Sequence, residues 1–187
     1  MINNNGIMAA QPLPLSVEEF HRLYDGAKPA YEYWFGKAVQ KTMPTTLHGV
    51  VQFLIATLLE RARWNTSTEV CLKIVPNVEP VPDVIAVRGK LERPYPTAAP
   101  ELCVEILSPG DPLVKVLEKA RRYLSWGSEC VWIIDPENRT AWTCSREPVE
   151  EPQWVQPGGS LRIGDTAIEL DLLFSEADRK LGTTVTE

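Results

Sequence analysis

At 187 residues, 44% of them hydrophobic and 24% charged, the chain is long enough to bury a core within one domain. A formal charge of −6 argues against a protein that coats nucleic acid non-specifically, although a local basic strip remains compatible with it. No apolar run approaches the ~18 residues of a membrane span and no basic-then-apolar leader opens the sequence, so a cytoplasmic protein without a membrane partner is expected.

Residues 1–13 are polar and are expected to form a flexible N-terminal arm, with a single domain over 14–187. Ser16 followed by Glu19 is a capping-box signature and predicts a short helix to Tyr24, ended by Asp25-Gly26. Two strands, 30–34 and 37–42, follow around Phe35-Gly36, where Gly36 is free to take a positive φ. Leu47, Val50, Val51, Leu54, Ile55, Leu58 and Leu59 keep the i, i+3, i+4, i+7 spacing of an amphipathic helix over 47–64.

Strands are expected at 69–75, 83–88 and 101–107, with a Pro-rich loop over 89–100. Pro112 suits the first turn of a second long helix, which Gly127 stops. Cys130–Asp135 and Arg139–Cys144 read as a hairpin turning at Glu137-Asn138. Beyond it, weaker strands fall near 153–156 and 166–170, and Asp171–Phe174 reads as a closing turn. The four cysteines (Cys71, Cys103, Cys130 and Cys144) lie in strand-like runs with no CxxC pair or zinc spacing, so buried free thiols are expected. The element order predicts an α/β domain, a mixed β-sheet flanked by α-helices.

Asp83 and Glu105 stand out because each carboxylate sits in an apolar run, where an uncompensated charge is costly. On neighbouring strands they would offer a hard divalent cation oxygen ligands, with the Ile106 carbonyl as a third. Lys119 on the following helix, one turn before Tyr123 and one after Lys115, could orient water or stabilise negative charge. This trio points towards a metal-dependent nuclease. Taken singly, each residue also has a plain reading: Asp83 as a strand-start acid bonded to backbone, and Lys119 as part of a solvated basic face. Glu32, between Tyr31 and Tyr33, and His48, at the start of the long helix with Gln52 one turn on, are further candidates. Ser/His/Asp catalysis lacks its Gly-x-Ser-x-Gly elbow, and there is no phosphate-cradling glycine loop.

The ordered set Tyr31-Glu32, Gly36, His48, Pro82-Asp83, Glu105-Ile-Leu-Ser-Pro109, Lys119 with Tyr123, Gly127 and Glu129–Pro136 resembles the Uma-type restriction-endonuclease family of the PD-(D/E)XK nuclease superfamily. In the superfamily motif the acid and lysine stand two apart on one strand; here that position is Leu107. The family places the lysine on the next helix, which Lys119 matches. Cys130 stands where the family commonly has Tyr.

The resemblance implies a restriction-endonuclease-like core and magnesium, or manganese, on Asp83 and Glu105. It makes Lys119 the positioner of water, Glu32 an auxiliary acid and His48 a secondary site residue. DNA is the implied partner, and a homodimer would suit cleavage of two strands. Two other readings stay open: a catalytically inactive nucleic-acid-binding or assembly module on the same scaffold, and a carboxylate-dependent hydrolase of a smaller substrate.

Overall fold

The structure, a computed structural model, describes residues 14–146 and 151–183; the expected arm lies outside them. Helix α1 (Val17–Tyr24) begins as the sequence implies: Ser16 Oγ accepts from the Glu19 N–H and the Glu19 carboxylate accepts from the Ser16 N–H. Strands β1 (Tyr31–Trp34) and β2 (Lys37–Gln40) form the expected hairpin. Helix α2 (Thr46–Arg61) follows, its N-terminus capped by Thr45 Oγ1 on the His48 N–H. Then come β3 (Asn65–Thr68), β4 (Val78–Glu79), β5 (Val84–Val87) and β6 (Leu102–Ile106). Helix α3 (Leu113–Trp126) precedes β7 (Cys130–Asp135) and β8 (Thr140–Ser145), and the chain closes through β9 (Gln153–Val155), β10 (Ser160–Ile163), β11 (Thr166–Glu169) and α4 (Leu170–Leu181).

The expected strand over 69–75 is not present. Pairing belongs to β3 instead, and 69–75 is irregular apart from a bridge at Val75. Its apolar run has another cause: Leu72 is fully buried, with Val70 and Ile74 packed against the same cluster. Packing on the core therefore imitated a strand without a ladder. Cys71 accordingly lies outside any strand and is only half-buried.

The expected turn at Asp171–Phe174 is the opening of α4, whose buried Leu170, Leu173, Phe174 and Ala177 keep helical spacing. Pro112 caps α3 rather than entering it. Strand β10, absent from the sequence reading, pairs with β11 around Gly164.

Six strands form the central sheet in the order β3-β5-β6-β7-β8-β9. Only β6 and β7 run parallel, and α3 makes the crossover between them. Strand alternation sorts the core into two clusters. Val84, Val104, Ile106, Trp132 and Ile134 pack with α2 and α4, whereas Ile85, Cys103, Val131 and Ile133 pack with Ala120 and Tyr123 of α3. A smaller sheet, β2-β1-β4, stands beside the central one.

Candidate active site

The β5–β6 ladder ends at Val84↔Val104, and the register continued by one step sets Asp83 opposite Glu105. Strand alternation then turns Glu105 away from the α2 face, on which Val104 and Ile106 pack, and towards α3. There Lys119 and Tyr123, one helical turn apart, meet it. Lys119 Nζ lies 2.9 Å from Glu105 Oε1, and the Tyr123 hydroxyl donates to the same oxygen at 2.8 Å. Asp83 is fixed differently: its Oδ2 accepts the Ile106 N–H at 2.7 Å.

Glu32 comes from β1 of the smaller sheet. Its Oε1 accepts from Lys119 Nζ and from the Val81 N–H, both at 2.7 Å, and its Oε2 accepts from the Trp34 indole at 2.9 Å. His48 is buried on the first turn of α2, with Nδ1 3.1 Å from Ser108 Oγ and Nε2 3.7 Å from Asp83 Oδ1. Glu32, His48, Asp83, Glu105, Ile106, Lys115 and Lys119 all line one cleft of about 660 Å³. Tyr123 lies behind it, fully buried, while Lys115 stands exposed on its wall. The structure thus gathers every residue singled out in the sequence around one place.

It also adds Lys41 and Glu69, which the sequence reading passed over, and gives Gln52 a part. Lys41, just past β2, spends its ammonium on Glu69 Oε2 at 2.8 Å, the Val81 carbonyl at 2.9 Å and Asp83 Oδ1 at 3.1 Å. Gln52 donates to the Asp83 carbonyl and to Glu69. His48, Glu69 and Asp83 offer ligand atoms that all lie within 4.8 Å of one another. The signal for Lys41 was slight, because its partners come from 28 and 42 residues away. Gln52 was visible as the residue one helical turn after His48.

The electrostatics follow from this packing. Burial raises the proton affinity of Glu105, and the nearby Asp83 and Glu32 add to it beyond what Lys119 offsets, so its carboxyl is pushed up to about 7. Burial pushes Asp83 the same way, yet the close approach of His48 and the charges of Lys41 and Lys119 outweigh it, holding this carboxyl well below the usual range. Burial disfavours the Lys119 ammonium, but Glu105 and Glu32 overcome that and keep it charged.

Among the described residues, the donor atoms close enough to share one ion belong to His48, Glu69 and Asp83, a nitrogen–oxygen set. Asp83 and Glu105 each accept from two donors and keep acceptor capacity for a hard cation, whereas Glu32 already accepts from three. Lys41 and Lys119 already hold part of the charge such an ion would neutralise.

A mixed sheet that sets two acids side by side beneath a helix lysine, beside an open cleft, defines a protein of the restriction-endonuclease-like class. The profile of the Uma2 family, described as "Putative restriction endonuclease", matches residues 17–174, and the chain belongs to that family. Among solved structures, one from Anabaena variabilis ATCC 29413, titled a putative nuclease belonging to DUF820, superposes with a TM-score of 0.72. It is 25% identical, and the match covers 88% of this chain and 99% of that one. No curated protein matches.

Proposed function

We propose that the protein is a metal-dependent endonuclease that hydrolyses phosphodiester bonds in DNA, and the observation carrying this reading is the Asp83–Glu105–Lys119 cluster at the cleft floor. Asp83 and Glu105, with the Ile106 carbonyl, would hold magnesium or manganese. That ion, when bound, would neutralise charge on the phosphate and lower the proton affinity of water.

The rest of the chemistry belongs to the chain. Because Glu105 and Glu32 keep Lys119 protonated, it acts as a donor and not as a general base: it orients the attacking water and stabilises negative charge developing at phosphorus. Glu32 fixes that lysine through their 2.7 Å ion pair while tethered to the Val81 N–H. Tyr123 holds Glu105 from behind. His48, tied to Ser108, supports the Asp83 carboxylate. Lys115, exposed on the cleft wall, would meet the DNA backbone.

The test is plasmid nicking with magnesium or manganese, alongside calorimetric titration of the metal. Cleavage and metal binding should both disappear in Asp83→Ala and Glu105→Ala. Unchanged cleavage in both variants would refute the reading.

One observation favours a second reading, a non-catalytic nucleic-acid-binding module: Asp83 and Glu105 are already ion-paired with Lys41 and Lys119. Salt-sensitive DNA binding indifferent to magnesium and to both substitutions would select it.

A further inference from the structure

The turn joining β1 to β2 carries a cost that the fold does not explain. Phe35 has φ +49° and Gly36 has φ +82°, the double positive φ of a type I′ hairpin turn. The first of these positions favours Asn, Asp or Gly, and a bulky side chain there is under steric strain. Burial does not offset that strain, since Phe35 is 54% exposed.

The turn is nevertheless held firmly. The Phe35 N–H donates to the Asn77 carbonyl at 2.9 Å and the Leu15 N–H donates to the Gly36 carbonyl at 2.9 Å. A Cβ on Gly36 would collide with Pro14, so the backbone is clamped on both sides. A strained, exposed aromatic on a pinned turn is the kind of outlier that accompanies a binding role.

Its surroundings say what would bind. Phe35 lines the same cleft as Glu105 and Lys119, with Trp34, Lys37, Lys115 and Arg122. The Arg122 guanidinium lies 5.0 Å from the Phe35 ring centroid and 5.8 Å from that of Trp34. In a chain of net charge −6, the cleft therefore pairs an exposed aromatic face with three exposed cations against one exposed acid, Glu118. A ligand complementary to both is anionic and carries a flat π-surface. A nucleotide meets that description only when its base is unstacked, because a duplex hides its base faces.

We propose that Phe35, backed by Arg122, is a stacking platform for an unpaired nucleobase, so that the strand entering the cleft is single-stranded, frayed or flipped at that point. The inference rests on reading the cleft as a phosphodiester site and assigns the form of its substrate.

Fluorescence anisotropy in EDTA, using a labelled oligothymidylate and a blunt duplex of equal length, tests it with the full chain and Phe35→Asn. Asparagine suits the turn, so this variant should melt about 2–4 °C higher. Its affinity for the single strand should fall about five-fold or more, while duplex affinity changes by less than about two-fold. Phe35→Trp should retain single-strand binding.

Equal single-strand affinity in wild type and Phe35→Asn would overturn the platform while leaving the nuclease reading intact. Failure of wild type to bind either probe at low salt in EDTA would also overturn the platform, and the nicking assay with magnesium or manganese would still decide the nuclease reading separately. Loss of a dimer in sedimentation, with oligonucleotide binding unchanged, would assign Phe35 to a contact between copies and also overturn the proposal.

Discussion

On the face of the central sheet covered by α2 and α4, strands β5, β6 and β7 present Val84, Val104, Ile106, Trp132 and Ile134 to one apolar cluster. On the face covered by α3 the same strands present Ile85, Cys103, Val131 and Ile133, and β6 also turns the acid Glu105 that way, beside Asp83 at the start of β5. The covering helices differ in the same sense. Helix α2 buries Val51, Leu54, Ile55 and Leu59 and gives the site only His48 and Gln52 near its start, whereas α3 buries only Ala120 and Tyr123 and aims Lys119 at a carboxylate. Buried charges are costly to hold, and paired ones add little net stability. Stability therefore resides on the α2 face, which lets the α3 face keep a charged cluster that packing alone would not select.

If the faces divide in this way, substitutions should separate activity from stability. The largest effect is expected at Asp83. Asp83→Ala orphans the buried Ile106 N–H, at about 1–3 kcal/mol, but leaves Lys41 paired with Glu69 and the Val81 carbonyl, so the fold should persist by circular dichroism. Nicking should nevertheless fall at least ~10³-fold, or about 4 kcal/mol of transition-state stabilisation. Leu59→Ala, on the opposite face, should do the reverse. Leu59 is fully buried in the apolar cluster, and its truncation should cost about 3–4 kcal/mol in urea denaturation while activity per folded molecule stays near wild type. A folded Leu59→Ala protein without activity would show that the faces are coupled and would break the comparison.

Much of this division was legible in the sequence, and the misses share a physical origin. Helix α2 announced itself because its burial follows the helical period, and strands β5, β6 and β7 because each is a continuous apolar run buried on both faces. At Val70, Leu72 and Ile74 a similar apolar run packs on the core but the backbone makes no ladder, so pattern and structure part company. Helix α4 was lost because only its first turn, Asp171–Phe174, was weighed, although Ala177 continues the stripe. At the site, Asp83 and Glu105 were conspicuous as charges among apolar residues. Lys41 was not, since a lysine at a strand end looks solvated until Glu69 and Asp83 are seen to meet it. Phe35 passed as a turn residue because exposure and φ are not written in the sequence.

A smaller effect, of order 2 kcal/mol, is expected from the pH dependence of stability without added metal. Glu105 has its folded pKa raised to about 7 from an ordinary 4.5, so between those values the native state binds the extra proton. Its contribution is present below about 4.5 and is lost as pH rises towards 7. Asp83 has the opposite sign: its stabilisation is present above an ordinary 3.8 and is lost only as pH falls below it, so it adds no slope in the same window. Urea melts at pH 5 and pH 7 in EDTA should show wild type losing stability, with Glu105→Gln losing less. The slope it keeps belongs to His21, whose pKa is raised by its hydrogen bond with Asp25 and by Glu79 and whose stabilisation is also lost as pH rises. A wild type equally stable at both values would mean that Glu105 is not desolvated and that the charged face costs nothing.

The smallest effect compares the faces directly, through a thiol on each. Cys103 lies in the α3 cluster and Cys130 in the α2–α4 cluster, and burial pushes both thiols up to about 12. At pH 8 only about one in ten thousand of either is thiolate in the native state, so labelling reports opening of the surrounding structure. Because α3 buries fewer side chains than α2, its face should open at a lower free energy, by about 1 kcal/mol. In dilute urea, mass spectrometry after alkylation should find Cys103 modified before Cys130. The reverse order would place the weaker packing on the α2 face, and the charged cluster would then sit on the more rigid side of the sheet, with Lys119, Tyr123 and Glu105 bracing α3 instead of burdening it.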